Sequence, residues 1–489
     1  MASDILKFDH PVASRKGETE DESQKETFNE FVRWLRENGA KFPDLYFKCY
    51  SRDVRGVHTR RRIPPYQQII AIPLKCIITD QTGRNTPLGR RLEAVSHKLT
   101  VPNHCQVIVY MMTTRKTGNR SFYAPYYKTL PYSFDNFPIF WTPDELKKLE
   151  GSDLVRQIKD RKRNIRNDYE IIRETLGRDF EFTFEDFLWC RTAVGSRNFS
   201  IVVDGEKRTA MVPMADMLNH YRPRQTSWTF DNSQGCFTMT SLKMLGPRVQ
   251  VMDSYGKKCN SKFLLHYGFT IECNREADGK CQNEVDLICR LVGTSKEIEK
   301  KSYFVGKSRR CRLTMNHEDR GTSETLAYLR VAVATDSELR YCSRGLRRTF
   351  FSSSFVFFSL CVSLTTHVRH IHMKTGTVIS ARNEAAAIAA LKNFARDKLS
   401  RYPTKMEEDE KKLQNRDLDP FGNEKHILIV LRGEKEILHF YMNFADEIIP
   451  LLALPPPERS IKVRKKYDDC TDIARYITSV DRALSRRGL

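Results

Sequence analysis

Ala-Asp-Met-Leu-Asn-His at residues 215–220 and Ser-Tyr-Gly-Lys-Lys-Cys-Asn at residues 254–260 decide how this chain is read. The first string follows an apolar run, Met211, Val212, Pro213 and Met214, and ends on an Asn-His pair that offers both donors and acceptors. The second follows Val249, Val251 and Asp253, whose alternation predicts a strand and so sets Tyr255 at a strand end. Downstream, Leu264-Leu265-His266-Tyr267-Gly268-Phe269 places further aromatic residues close behind that tyrosine. Taken singly, a strand-end tyrosine is an interface residue and an Asn-His pair a helix-terminal one. In combination they point to a site.

The 489 residues are 40% hydrophobic and 29% charged, too long a chain for one ordinary core and apolar enough for two or three compact units. Lys and Arg number 82 against 61 Asp and Glu, and the net charge of +21 favours acidic partners. The basic residues are scattered, as at 60–62, 161–166, 309–310 and 464–466, around no recognisable nucleic-acid module. A solvated basic surface and no specific nucleic-acid partner are therefore expected. Thirteen cysteines, an odd number, predict free thiols in a reducing compartment, cytoplasmic or nuclear. Cys259, Cys273, Cys281 and Cys289 lack the close spacing of a zinc site, and His367, His370 and His372 have metal spacing without carboxylates nearby, so no metal is expected.

Residues 1–24 mix acidic, basic and serine residues and read as a disordered leader, with acidic residues that count against a transit peptide. Phe28, Phe31, Val32 and Leu35 then mark one helical face, stopped at Asn38-Gly39. Asp53-Val54-Arg55-Gly56-Val57-His58 is turn-rich, and a β-branched run from Gln67 to Thr79 follows it. From about 90 to 187 the pattern is helical: Thr142-Pro143-Asp144-Glu145 is a capping box, and Ile158, Ile165 and Ile172 repeat along a basic amphipathic helix. Beyond Cys273 helices predominate, with a further capping box expected at Thr404 and Glu407, and the tail past Pro455 is basic. Residues 341–374, with their Phe and Ser runs, lack either periodicity and read as an atypical insertion with the composition of a retained intron rather than as a buried core strand. They are too short and too serine-rich for a membrane span, and no membrane partner is expected.

Both strings, their spacing, the Ser121-Phe122-Tyr123-Ala124-Pro125-Tyr126 segment and Ser196-Arg197-Asn198-Phe199 resemble the SET-domain methyltransferases, in the branch of Rubisco large-subunit and actin-histidine methyltransferases. The resemblance covers about residues 25–445 and implies an α+β fold: a SET β-fold with a pseudoknot and a helical insert at about 90–187, together spanning 25–272. A mostly α-helical substrate-binding domain at 273–455, interrupted by 341–374, and a basic tail at 456–489 would follow. It implies S-adenosylmethionine as cofactor, a protein substrate and a monomeric enzyme. Tyr255 matches the catalytic tyrosine. Asp53, Arg55, Gly56, Arg197, Asp216, Asn219 and His220 match cofactor-binding positions, although Val54 replaces the first glycine of the family's Gly-x-Gly turn. Phe199, Ala215, Tyr267 and Phe269 would line the substrate channel.

A lysine acceptor must be neutral to react, and at its ordinary pKa only about one in a thousand is neutral at pH 7.4, a penalty of roughly 4 kcal/mol. A dry aromatic channel beside a sulfonium charge relieves it. The histidine-methylating members place tryptophan where this chain has Ala215 and asparagine where it has Phe199. An imidazole meeting Phe199 would leave a ring nitrogen unpaired at about 1–3 kcal/mol, so lysine methylation of a non-histone protein is expected. Histidine methylation and an inactive binding module are the alternatives.

Overall fold

The computed structural model describes residues 22–50, 55–340, 378–469 and 471–486. The leader up to residue 21, Asp53, Val54, the stretch 341–377 and its histidine triplet lie outside the described residues. The rest falls into two compact units. The first lies within Met1–Thr142, Arg156–Lys257 and Lys262–Phe269, the second within Pro143–Val155, Lys258–Ser261 and Thr270–Leu489. The boundary is therefore interleaved, where a single break near residue 272 was expected.

In the first unit, helix α1 (Glu22–Glu37) begins inside the expected leader and buries Phe31 and Leu35 completely. Asn38 Nδ2 turns back to Trp34 O at 2.9 Å, and Gly39 ends the helix at φ +88, where the missing Cβ avoids a clash. Strand β1 (Leu45–Cys49) pairs antiparallel with β2 (Arg55–Thr59), so Arg55 to His58 are extended rather than in a turn. The β-branched run forms β3 (Gln68–Pro73) and β4 (Ile78–Thr79), separated by one short turn of helix. The Thr79 hydroxyl then accepts from Thr82 N at 3.1 Å, and this cap starts the helical region at Asp80, earlier than residue 90.

That region includes α2 (Pro102–Lys116), α3 (Leu154–Leu176) and α4 (Phe184–Arg197). Ile158, Ile165 and Ile172 are all buried, as their spacing requires. A capping box between Thr183 and Asp186 launches α4, which carries the helical region past 187 to Arg197. The chain then returns to strand: β5 (Asn198–Val203) and β6 (Glu206–Met211) form a sheet with β4 in the order β4-β6-β5. After β7 (Asn219–His220), β8 (Thr226–Asp231) and β9 (Cys236–Ser241) join β3 in a second antiparallel sheet. The two-residue strand β10 (Met252–Asp253) pairs in parallel with β7. Helix α5 (Asn260–Tyr267) ends at Gly268.

The second unit holds an antiparallel pair, β11 (Val285–Arg290) and β12 (Ser308–Leu313), among helices α6 (Arg320–Ala332), α7 (Ala381–Leu399) and α8 (Asn423–Leu452). On either side of the stretch 341–377 the chain meets itself: Glu338 accepts from the Ser380 hydroxyl at 2.7 Å and pairs with Arg382. The expected capping box at Thr404 is displaced by one residue. Thr404 donates to Asp409 at 2.7 Å, and the same carboxylate takes Lys435, both ionic groups fully buried. Among the described residues no helix is long and apolar enough to cross a membrane, and no group of three His, Cys, Asp or Glu is placed to hold a metal ion.

The expected basic tail is instead two helices, α9 (Pro456–Lys466) and α10 (Asp472–Ser485), which bury Val463, Tyr476, Ile477, Val480 and Leu484. Arg459, within the expected basic tail, is 2% exposed and donates to Leu451 O and Leu454 O. Arg330 forks onto Glu384 with both contacts at 2.7 Å, and the Tyr476 hydroxyl closes on the same carboxylate. Removing one member of such a buried pair strands the other charge. Glu384→Ala is expected to cost about 3–5 kcal/mol in urea unfolding. Gly268, at φ +74, would place a Cβ 2.5 Å from Asn136 Nδ2 and 2.7 Å from the Phe137 ring. Gly268→Ala is accordingly expected to lose about 1–3 kcal/mol in the same measurement, from backbone strain and overlap together.

Candidate active site

The parallel ladder of β7 and β10 sets Asn219 opposite Met252 and His220 opposite Asp253, which brings the two strings of the sequence side by side. Tyr221 N extends the ladder to Asp253 O at 2.8 Å. Tyr255 is tied to the first string at both ends: its backbone N–H donates to His220 Nδ1 at 2.9 Å and its hydroxyl to Leu218 O at 2.7 Å. Because a backbone N–H only donates, His220 Nδ1 is an acceptor, and the proton of the neutral imidazole sits on Nε2. Just ahead of the string, Met214 is fully buried at φ +76, a left-handed conformation that a non-glycine residue holds only where packing over-determines it.

Around Tyr255 the rings form a wall. Tyr267 stacks on it with centroids 5.0 Å apart, His220 lies at 5.2 Å, and Phe269 stands edge-on at 6.2 Å. Phe263, fully buried on α5, backs His220 at 4.9 Å and Phe269 at 5.1 Å. Burial pushes the Tyr255 phenol well above its ordinary value, against the pull of the Arg197 charge. The phenol is thus neutral at physiological pH and acts as a hydrogen-bonding group, not as a base. Burial raises Tyr267 likewise, with Arg161 opposing.

Beside the wall lies a buried charged cluster. The Asp216 side chain is completely buried; Oδ2 accepts from the Tyr126 hydroxyl at 2.8 Å and from Arg197 at 3.5 Å. Arg197 NH1 also holds Asp216 O at 3.0 Å. Burial pushes the Asp216 carboxyl up, while Arg197, Tyr126 and Arg55 pull it down. Arg55 is lowered to about 10, first by burial and then by the Arg197 charge. Among the described residues, two guanidinium groups thus influence one carboxylate, and Asp216 Oδ1 and Arg197 Nε are buried without a hydrogen-bond partner. This is an environment short of one anion.

Asn219 Nδ2 donates to Arg55 O at 2.8 Å and to Gln250 Oε1 at 2.9 Å, which ties β7 to β2. Gly56 gives Gln250 its room, since a Cβ there would fall 2.8 Å from the Gln250 amide. Thus Arg55, Arg197, Asp216, Asn219, His220, Tyr255, Tyr267 and Phe269 are linked by these contacts. Ala215 opens the turn before Asp216 and is buried. The ring of Phe199, partly exposed on β5, stands edge-on to Trp228 at 5.3 Å and Phe237 at 5.2 Å. Tyr126, Gln250 and Phe263 were missed by sequence reasoning. Only Tyr126 carried a signal, as the last residue of the Phe-Tyr-Ala-Pro-Tyr string.

Comparison with known proteins agrees with this geometry. Residues 293–438 match the Rubisco LSMT substrate-binding family. Actin-histidine N-methyltransferase of Homo sapiens is 26% identical over 437 residues, spanning 86% of this chain and 68% of that protein. Its Canis lupus familiaris counterpart is 26% identical over 436 residues, spanning 86% and 69%. The structure of the SET domain of LSMT bound to lysine and AdoHcy superposes with a TM-score of 0.67 at 19% identity, covering 93% of this chain and 99% of the other. Rubisco LSMT bound to AdoMet gives 0.65 at 19% identity, covering 92% and 99%. With a fold like that of the LSMT SET domain joining the two strings and a match to the Rubisco LSMT substrate-binding family over residues 293–438, the chain is similar to the SET-domain protein methyltransferases of the Rubisco large-subunit and actin-histidine branch.

Proposed function

We propose that this protein is an S-adenosylmethionine-dependent protein N-methyltransferase whose acceptor is a histidine ring nitrogen. The observation that carries the methyltransferase reading is the neutral Tyr255 hydroxyl, set in a wall of rings beside a buried cluster with one cation in excess. The cofactor fits the residues present. Its carboxylate would be held by Arg197 and Arg55, and its ammonium by acceptors such as Asp216 Oδ1, the atoms the fold leaves without partners. Bound there, S-adenosylmethionine supplies an electrophilic methyl group on a sulfonium.

The chain's own residues do the rest. Tyr267, Phe263 and Phe269 exclude water around Tyr255, and the Tyr255 hydroxyl, which donates to Leu218 O, lies where its oxygen would accept from a substrate N–H. Orientation and electrostatics are therefore the main contributions. An imidazole of ordinary pKa is already neutral in about nine of ten molecules at pH 7.4, so it needs orientation and little deprotonation.

The histidine assignment is supported by the relatives, which carry that activity in their names. It replaces lysine as the leading reading, because the case against imidazole rested on Phe199 facing the acceptor, and that ring is packed against Trp228 and Phe237. Lysine remains the second reading on one observation: Ala215, buried before Asp216, provides no ring to stack on an imidazole. Incubating the enzyme with labelled cofactor and cell extract, then mapping the modified residue by mass spectrometry, separates the two. Label on histidine is expected, and label confined to lysine overturns the assignment. Tyr255→Phe should lower turnover by at least about tenfold with little change in cofactor affinity, since orientation of the acceptor is lost. Equal turnover would remove Tyr255 from the catalytic role.

A further inference from the structure

Behind the Asn-His string, a chain of hydrogen bonds in the first unit begins and ends on backbone carbonyls. Asn219 Nδ2 donates to Arg55 O and to Gln250 Oε1. Gln250 Nε2 donates to the Tyr50 hydroxyl oxygen at 3.1 Å, the Tyr50 hydroxyl meets His58 Nε2, and His58 Nδ1 lies 3.1 Å from Arg248 O. A carbonyl oxygen only accepts, so Arg248 O fixes the imidazole proton on Nδ1 and leaves Nε2 an acceptor. Tyr50 must then donate to His58, Gln250 must donate to Tyr50, and the oxygen of the same Gln250 amide must accept from Asn219. Arg55 O imposes the same sense from the other end. Both Asn219 amide hydrogens are thereby used, and Oδ1 is the polar side-chain atom left for a ligand.

We infer that Gln250, Tyr50 and His58 are positioning residues, a one-way relay that holds the Asn219 amide with its oxygen presented as an acceptor for a hydrogen-bond donor of the cofactor. This deepens the methyltransferase reading and rests on it. Turning either amide over would set oxygen against oxygen at Arg55, or hydrogen against hydrogen between the two amides. Gly56 belongs to the device, because any side chain there would push Gln250 out of line.

The relay also has a sign. Burial pushes His58 below its ordinary value, Lys48 adds to that, and the Arg248 carbonyl opposes it. The other groups facing the imidazole are Tyr50 and the Tyr46 ring at 5.6 Å, the latter covered by Arg60. A protonated His58 would turn an Nε2–H onto the Tyr50 oxygen and compete there with Gln250. Acid should therefore loosen Asn219 and weaken cofactor binding as pH falls through the His58 titration, below its ordinary value.

Two measurements test this. Nitrogen-15 NMR of the ligand-free full-length protein at neutral pH should show His58 as the Nδ1–H tautomer; the Nε2–H tautomer or an imidazolium overturns the relay. Calorimetric titration with S-adenosylmethionine should give a Kd about five- to tenfold higher for Tyr50→Phe and for Gln250→Leu than for wild type, the loss of about one hydrogen bond. The wild-type affinity should fall with acid, and that dependence should be flattened in Tyr50→Phe. Equal affinity and an equal pH dependence in wild type and Tyr50→Phe overturn the positioning role. Failure of wild type itself to bind would instead overturn the methyltransferase reading, while the tautomer would still decide the direction of the relay.

Discussion

Four residues in two-residue strands hold the active site together. The parallel pairing of Asn219 and His220 with Met252 and Asp253 is too short to be stable alone, and its persistence depends on what is attached to it. Tyr221 N, Tyr255 N, the Tyr255 hydroxyl and the Asn219 amide each add a hydrogen bond from the flanking residues. The aromatic rings then exclude water from those bonds, which raises their strength in the low-dielectric interior. Catalytic geometry and local stability thus come from the same contacts.

Charge supplies the second constraint. Burying Asp216 with two arginines leaves an imbalance that packing alone cannot relieve, as the lowered Arg55 and the upward pull on Asp216 register. In a stable core such a cluster would be neutralised by another carboxylate. Here, among the described residues, Asp216 Oδ1 and Arg197 Nε stand beside it without a hydrogen-bond partner.

Much of this was legible because the decisive residues are contiguous in sequence. The Asp-x-x-Asn-His and Ser-Tyr-Gly strings carry their chemistry in neighbouring side chains, and Tyr267 and Phe269 follow within the same short segment. The relay was not legible, since Tyr50, His58 and Gln250 meet only through the pairing of β1 with β2 and the bridge from His58 to Gln250. The C-terminal helices were legible but overlooked: Ile477, Val480 and Leu484 recur at helical spacing beneath a basic composition that drew the eye. The contacts of Phe199 were hidden for a different reason. A motif position gives a residue's place along a strand but not the way its ring turns, and Trp228 and Phe237 decide that from another sheet.

The orientation of Phe199 bears on the acceptor. A wall made only of hydrocarbon would suit an alkyl chain and punish an imidazole, because one ring nitrogen would be buried unpaired. With Phe199 in contact with Trp228 and Phe237, the rings that surround Tyr255 are those of Tyr267, His220 and Phe269, two of the three bearing polar atoms. Such a surface would satisfy both edges of an imidazole under the proposed function, one nitrogen by a hydrogen bond and the other by the reaction itself. A lysine ammonium gains less, for it must first lose a proton at roughly 4 kcal/mol before its lone pair is available. On the proposed reading, histidine is the acceptor that asks least of a site whose phenols, Tyr255 and Tyr267, are held neutral by burial.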